Sequence, residues 1–197
     1  NMFGGGQTSS LDLPLQGAIQ SFNIGGSTGW VARLGVTAPP PQLPAVISVA
    51  PSSGSGNTVT FTAQYSHPAG AGSLTTVALL LNTTASLNFG CYVTYTPATT
   101  LFALANNDAA TGGASVTPGG GSAANDQCTL NGAGSSASIV GSNLTLTVSL
   151  TFQPGFAGAK TVYLYAADAS SNTGFLAKGT WSVTIPPPTP SADSVSP

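Results

Sequence analysis

The residues with the greatest potential for chemistry are a glycine-flanked serine and a single histidine. Gly25-Gly26-Ser27-Thr28-Gly29 matches the G-x-S-x-G string of a nucleophile elbow, and His67 is the one histidine among 197 residues. A nucleophile elbow needs a strand before the serine and a helix after it. Here a strand-like segment and then prolines follow the serine, and His67 precedes Pro68 in a turn-like sequence. The sequence therefore argues against a Ser–His hydrolase.

Acidic residues are too few and too scattered for a glycosidase, which needs two facing carboxylates. The chain has five Asp and no Glu. Oxygen-bearing side chains in loops could still bind calcium, although Asn and Asp in loops more often cap turns through their own backbone. We therefore expect no catalytic residue, no cofactor and no metal, and keep a calcium loop as the alternative. The calcium candidates are Asn106, Asn107, Asp108, Asn125, Asp126 and Asp168.

Other candidate sites involve sugars. Asn82-Thr83-Thr84 and Asn143-Leu144-Thr145 are acceptor strings for N-linked glycan. Such strings arise by chance in a sequence rich in Asn and Thr, so glycan is an alternative at Asn82 and Asn143. Trp30 and Trp181 could stack on sugars, but their equivalent settings near the ends of repeats favour a packing role.

The low charge of the chain excludes several classes of partner. Lys and Arg number three, and charged residues make up 4% of the chain, against roughly 25% in an average soluble domain. Three cations cannot neutralise a row of phosphates, so nucleic acid is excluded. They also form no polybasic patch for a membrane, and no apolar run approaches the length of a membrane span. A surface with little charge repulsion favours assembly with copies of the same chain.

The two cysteines, Cys91 and Cys128, each lie in a strand-like segment. Two free buried thiols are the alternative, but a disulfide fits better in what reads as a secreted, extracellular or cell-surface protein.

The pattern that must position these residues is strand-like alternation. Val59, Phe61, Ala63 and Tyr65 alternate with polar residues, as do the apolar residues of 144–152 and 162–166. Such a pattern gives each strand one core face and one solvent face. Further strands are predicted at 46–50, 75–82, 89–96, 100–105, 127–131 and 179–185, and a long Gly-rich loop at 106–125. Eight or nine short strands separated by turn signals predict an all-β sandwich.

Two flanks of the chain repeat each other at an offset near 146 residues. TGWVARLGVTAPPP at 28–41 parallels TGFLAKGTWSVTIPPP at 173–188, apart from a two-residue gap. Each proline run is followed by a similar strand start, Ser48-Val49-Ala50-Pro51 and Ser194-Val195-Ser196-Pro197. Self-similarity at a fixed period is typical of head-to-tail arrays. Chance agreement between low-complexity segments is the alternative.

Residues 46–185 resemble an immunoglobulin-like tandem repeat domain of long secreted proteins from environmental bacteria. The segments that carry the resemblance are SSGSG at 52–56, CY at 91–92, QCTLNGAGSS at 127–136, FAG at 156–158, YAAD at 165–168 and GTW at 179–181. The resemblance implies an immunoglobulin-like β-sandwich, a Cys91–Cys128 bridge and tandem arrangement, and it implies no activity. His67-Pro68 departs from it, since an acidic residue is expected before that proline.

These features predict four parts: an N-terminal β extension at 1–38, a Pro-rich linker at 39–45, the sandwich at 46–185, and a second linker with the start of another repeat at 186–197. The function expected is that of a subunit of an extracellular filament or surface fibre, with an adhesin or carbohydrate-binding module as the alternative. In the filament, the extension adds strands to a neighbouring unit. The apolar residues expected to do so are Leu11, Leu13, Leu15, Ile19, Phe22, Ile24, Trp30, Val31, Leu34 and Val36.

Overall fold

A computed structural model describes residues 2–8, 28–34, 42–109 and 113–186, with backbone alone for the first two ranges. The chain forms two compact units, Asn1–Pro41 and Gln42–Pro197. In the first unit, β1 (Met2–Thr8) pairs antiparallel with β2 (Thr28–Leu34), in a register that sets Met2 opposite Leu34 and Thr8 opposite Thr28.

The second unit is built almost entirely from strands. Two short 3₁₀ helices, Ala71–Ser73 and Pro154–Phe156, are the only helical segments among the described residues. The strands are β3 (Ala45–Ala50), β4 (Ser53–Gly56), β5 (Thr58–Ser66), β6 (Thr76–Asn82), β7 (Cys91–Thr96), β8 (Leu101–Leu104), β9 (Ala114–Val116), β10 (Ser122–Ala124), β11 (Cys128–Val140), β12 (Asn143–Phe152), β13 (Gly158–Ala167) and β14 (Leu176–Val183).

The strands of the second unit form two sheets. One has the order β10-β11-β12-β5-β3 and the other the order β4-β14-β13-β6-β7-β8-β9. All neighbours are antiparallel except β4, which runs parallel to β14. The chain changes sheets between β3 and β4, next to the cis Ala50–Pro51 bond. The predicted all-β sandwich is confirmed.

The core lies between the two sheets because alternate side chains of each strand point inward. In β12 every second residue from Leu144 to Phe152 is buried, and the residues between them are half-buried. Phe61 and Tyr65 of β5 are fully buried, and the Phe61 ring meets Trp181 of β14 edge-on at 5.7 Å between ring centroids. The two-residue alternation in the sequence thus predicts which faces form the core.

The prediction of one long loop over 106–125 is wrong, because β9 and β10 lie within it. The strand predicted at 127–131 is also too short, since β11 continues to Val140. A bulge between Asn131 and Ser136 interrupts its ladder with β12. There the Ser135 hydroxyl donates to the Asn131 carbonyl at 2.7 Å and accepts the Ser149 N–H at 3.0 Å. A side-chain hydroxyl thus supplies hydrogen bonds that the bulged backbone does not make.

The two ends of the sandwich differ in which strand ends they contain. The leading end is the end at which the chain enters through Leu43, and the trailing end is the end at which β14 finishes at Val183. Ala45 pairs with Ser66 at the leading end, and Gly158 pairs with Val183 at the trailing end. The chain therefore enters and leaves this unit at opposite ends.

Candidate functional site

The histidine singled out in the sequence ties two loops together at the leading end. His67 follows β5 and Asp168 follows β13, and Nε2 of the histidine lies 3.1 Å from Oδ2 of the aspartate. Both side chains are almost fully buried, with 4% and 7% of their surface exposed. The Ala69 N–H donates to Nδ1 at 3.2 Å. Because Nδ1 accepts a hydrogen bond, the ring proton is on Nε2, and Nε2–H donates a hydrogen bond to the carboxylate.

Asp168 accepts far more hydrogen bonds than the one from His67. The N–H groups of Ser170 and Ser171 donate to Oδ1 at 2.6 and 2.7 Å, and their hydroxyls lie 3.0 Å from the carboxylate. The backbone hydrogen bond from Ser170, with further help from His67 and Ser171, holds the pKa of Asp168 well below its usual range. The carboxylate therefore stays ionised, and the loop after β13 is wrapped around it.

This arrangement differs from that of a catalytic base. A general base must keep one ring nitrogen free to take a proton from a nucleophile. Both nitrogens of His67 are occupied, by Asp168 and by the backbone of Ala69. Ser27 of the G-x-S-x-G string lies outside the described residues. The His67–Asp168 pair is thus a structural tie between loops.

At the trailing end, Cys91 and Cys128 form the predicted disulfide, with their Cα atoms 5.7 Å apart. Cys91 begins β7 in one sheet and Cys128 begins β11 in the other, so the bridge joins the two sheets. Asn125 supports it: its Oδ1 accepts the Cys128 N–H at 2.9 Å, and its Nδ2 donates to the Ala105 carbonyl at 2.9 Å.

The calcium candidates divide between the two ends of the sandwich, with 106–108 and 125–126 in neighbouring loops at the trailing end. Asn107 and Asp126 are joined to each other, with Nδ2 of the asparagine 2.7 Å from Oδ2 of the aspartate. Asn125 uses its side chain on backbone groups, and Asp168 lies at the other end of the sandwich. No group of three or more His, Cys, Asp or Glu that could hold a metal occurs among the described residues. Asn106 and Asp108, which flank Asn107, also have interaction partners.

Trp181 is a packing residue, as its position near the end of a repeat predicted. Its side chain is 7% exposed, and its indole N–H donates to the Gly56 carbonyl at 3.1 Å. A Cβ at Gly54 would lie 2.4 Å from the indole ring, so only glycine allows β4 to lie this close. The side chain of Trp30 is not described.

A shallow groove of about 350 Å³ opens beside Trp181. Lys160 is part of its lining, and its ammonium group lies 4.5 Å from the centre of the Phe156 ring. Burial lowers the pKa of Lys160. Hydroxyl groups supply most of the remaining polar lining, from Thr83, Thr161, Thr180 and Ser182.

An aromatic cluster that the sequence analysis missed covers the outer face of the seven-stranded sheet. Phe175 lies 5.2 Å from Tyr165 and 5.9 Å from Tyr92, measured between ring centroids. The cluster explains why Ala78 and Leu80 of β6 are fully buried although they point away from the core. Burial, and then the neighbouring Tyr165, raise the pKa of Tyr92. The alternation of β13 could have indicated this outward-facing row. It could not have shown that Phe175 joins the row from a loop.

The two candidate glycan acceptors differ in accessibility. Nδ2 of Asn82, the atom that would carry glycan, donates to the Ser86 carbonyl at 2.8 Å and to the Asn88 carbonyl at 3.1 Å. Asn143 begins β12 immediately after a two-residue turn and is exposed. Glycan at Asn82 would require the loss of both bonds, whereas Asn143 is accessible.

The residues expected to form an inter-subunit strand are only partly described. Trp30, Val31 and Leu34 lie in β2, which pairs with β1. The others lie outside the described residues: Leu11, Leu13, Leu15, Ile19, Phe22, Ile24 and Val36.

Comparison with known proteins finds no matching family model, no matching curated protein and no matching solved structure. Within the described ranges, no helix is long and apolar enough to cross a membrane. The disulfide fits an extracellular or otherwise oxidising location.

Proposed function

We propose that this chain is a structural subunit or repeat unit of an extracellular filament or surface fibre, with no enzymatic activity. The observation that carries the proposal is the path of the chain through the sandwich. It enters at one end and leaves at the other, and the flanks on either side repeat each other at an offset near 146 residues. Units joined in this way extend in one direction.

Composition and cross-linking support the same proposal. Three Lys and Arg residues in 197 leave little charge repulsion between copies and few sites for trypsin-like proteases. The buried Cys91–Cys128 bridge joins the two sheets at the trailing end. At the leading end, the His67–Asp168 pair ties two loops. A durable unit with both ends secured suits an exposed fibre.

The strand order supports an immunoglobulin-like relationship. Immunoglobulin sandwiches have strands A, B, E and D in one sheet and C, F and G in the other, with C′ and C″ added in variable-type domains. Taking β3 as A makes β5, β12 and β11 correspond to B, E and D. The second sheet then corresponds to G, F, C and C′ as β14, β13, β6 and β7. The disulfide differs from the B–F bridge of antibody domains, since it joins β7 to β11.

The experiment that tests the proposal is electron microscopy of the full chain, together with a chain that lacks residues 1–38. We expect the full chain to form filaments, because the extension adds strands to a neighbouring unit. The shortened chain should stay monomeric and keep its β-sheet circular dichroism. If the shortened chain forms the same filaments, strand addition is wrong and contacts between sandwiches must hold the fibre. A full chain that never assembles would contradict the filament itself.

An adhesin or carbohydrate-binding module is the second candidate, and the outer aromatic cluster favours it. Tyr92 and Tyr165 combine a ring with a hydroxyl on a sheet face, and such amphipathic side chains are enriched at binding surfaces. Binding to neutral polysaccharides in affinity electrophoresis, lost on Tyr92→Ala, would support this candidate. Binding that survives the substitution would contradict a role for the cluster.

A further inference from the structure

Large exposed apolar side chains are concentrated at one end of the sandwich. Among the described residues of known exposure, six large hydrophobic side chains are exposed. Five of them belong to strand ends or connections at the leading end, and one lies at the trailing end. The five are Leu43, Ile47, Ile139, Val140 and Leu176. Leu43, Ile47 and Leu176 lie on one side of this end, where the Lys178 ammonium group of β14 donates to the Ile47 carbonyl of β3 at 3.4 Å. Ile139 and Val140 lie on β11, which β12 and β5 separate from β3. Exposed apolar side chains that lie together mark interaction sites.

The leading end is also rigid, and the one charged group beside its described apolar side chains is the Lys178 ammonium group, which donates to the Ile47 carbonyl at 3.4 Å. Its loops are joined by hydrogen bonds from the His67 N–H to the Ser142 carbonyl at 2.9 Å and from the Ala71 N–H to the Gly141 carbonyl at 3.0 Å. Asp168 is 7% exposed and is surrounded by donors. A docking partner would therefore meet a preformed surface on which no exposed carboxylate has to lose its water.

The one large apolar side chain exposed at the trailing end is Phe89, in the loop between β6 and β7. Its ring is 66% exposed and its backbone has a φ of 54°, in the left-handed region that glycine and asparagine adopt more readily. The Phe89 N–H donates to the Asn107 carbonyl at 2.7 Å, which fixes the loop. Strained backbone positions cluster at binding sites, and the exposed ring of Phe89 is available for contact with another molecule.

We propose that the leading end docks the trailing end of a second copy, with Phe89 of one copy packed against the apolar side chains of Leu43, Ile47 and Leu176 of the next. This contact rests on the proposed head-to-tail assembly and identifies the surfaces it uses. The chain enters this unit beside Leu43 and leaves it from the opposite end, so a head-to-tail array would bring the trailing end of one copy toward the leading end of the next. Contact between two different surfaces of the same molecule produces an open filament, unless the rotation between copies closes the assembly into a ring.

Cysteine cross-linking of the full chain tests the contact directly. The native cysteines are bridged, and no free cysteine is present. We expect a mixture of the Phe89→Cys and Leu43→Cys variants to form mixed disulfide dimers under mild oxidation, and each variant alone to form few. Thr60→Cys, exposed on the face of β5, is the control partner for either variant and should give few dimers. Abundant Leu43–Leu43 dimers, or equal cross-linking to Thr60→Cys, would overturn the proposal.

Sedimentation of substituted full-length chains gives an independent readout. Phe89→Asn removes the ring and suits the left-handed backbone, so the variant should fold at least as well as the parent. It should weaken self-association by about tenfold or more, as expected for a central aromatic contact. Leu176→Ser should act in the same direction, whereas Ala85→Asn, in the same loop as Phe89, should leave association unchanged. If the parent chain assembles and both Phe89→Asn and Leu176→Ser assemble equally well, this contact is wrong and strand addition still stands. A parent chain that remains monomeric at every concentration overturns the contact and the filament together.

Discussion

The Cys91–Cys128 bridge should contribute most of its stability by restricting the unfolded chain. It closes a loop with a sequence separation of 37 residues, which contains β7, β8, β9 and β10 and the Gly-rich connections between them. In the chain-entropy model, a loop of that length corresponds to about 3.8 kcal/mol at 25 °C. A typical domain is stable by only about 5–15 kcal/mol. Loss of the bridge therefore removes a large fraction of the free energy of unfolding.

The assay is equilibrium unfolding in urea of the oxidised chain, the chemically reduced chain and the Cys91→Ala/Cys128→Ala double variant. Both sulfur atoms are fully buried, so the reduced chain keeps the core packing and isolates the effect of the cross-link. We expect the reduced chain to lose about 3–4 kcal/mol, and the double variant to lose more, because it also removes two buried sulfur atoms from the core. We also expect the m-value to rise, because the uncrosslinked unfolded chain exposes more surface. If the reduced chain loses less than about 1 kcal/mol and keeps its m-value, the bridge does not act on the unfolded state and the reasoning is refuted.

Two further substitutions test the contacts at opposite ends of the sandwich. Gly54→Ala should cost about 1–3 kcal/mol in urea unfolding, because the added methyl group overlaps the buried ring of Trp181, whereas Gly72→Ala, with open space around it, should be nearly neutral. Asp168→Asn should lower stability at pH 7 and should have a progressively smaller effect below pH about 4. The pKa of Asp168 is lower in the folded chain than in the unfolded chain, so its ionised carboxylate stabilises the fold above the unfolded pKa. This contribution is lost as the pH falls through the folded-state pKa. A pH-independent loss in Asp168→Asn would contradict the role of the charge.

The sequence predicted the long alternating strands well because burial on one face leaves a two-residue period. Val59 to Tyr65 and Leu144 to Phe152 lie in β5 and β12 as predicted. The Gly- and Ser-rich strands could not be predicted in the same way, because their side chains are too small to show that period. β4 has the sequence SGSG, and its place depends on close contact with Trp181, far along the chain.

The candidate sites were predictable only where residue type alone indicates the chemistry. Two strand-borne cysteines were enough to predict the bridge. His67 gave no sign that it is buried, because its partner Asp168 is 101 residues away in sequence. The gathering of exposed apolar side chains at the leading end was equally hidden, because its members come from separate strand ends that only the topology brings together.

The edges of the two sheets bear on the direction in which such a unit could assemble. A flat, unprotected edge strand invites lateral pairing with another chain. Here β9 and β10 are three residues long, and β4 is four. The longer edge strand, β3, has a register shift at Ile47, whose carbonyl accepts a hydrogen bond from the Lys178 ammonium group at 3.4 Å. Short, bulged or capped edges disfavour sideways growth, whereas the contact proposed for Phe89 would extend an assembly along the axis that joins the two ends. The proposed assembly is therefore a thin fibre and not a sheet.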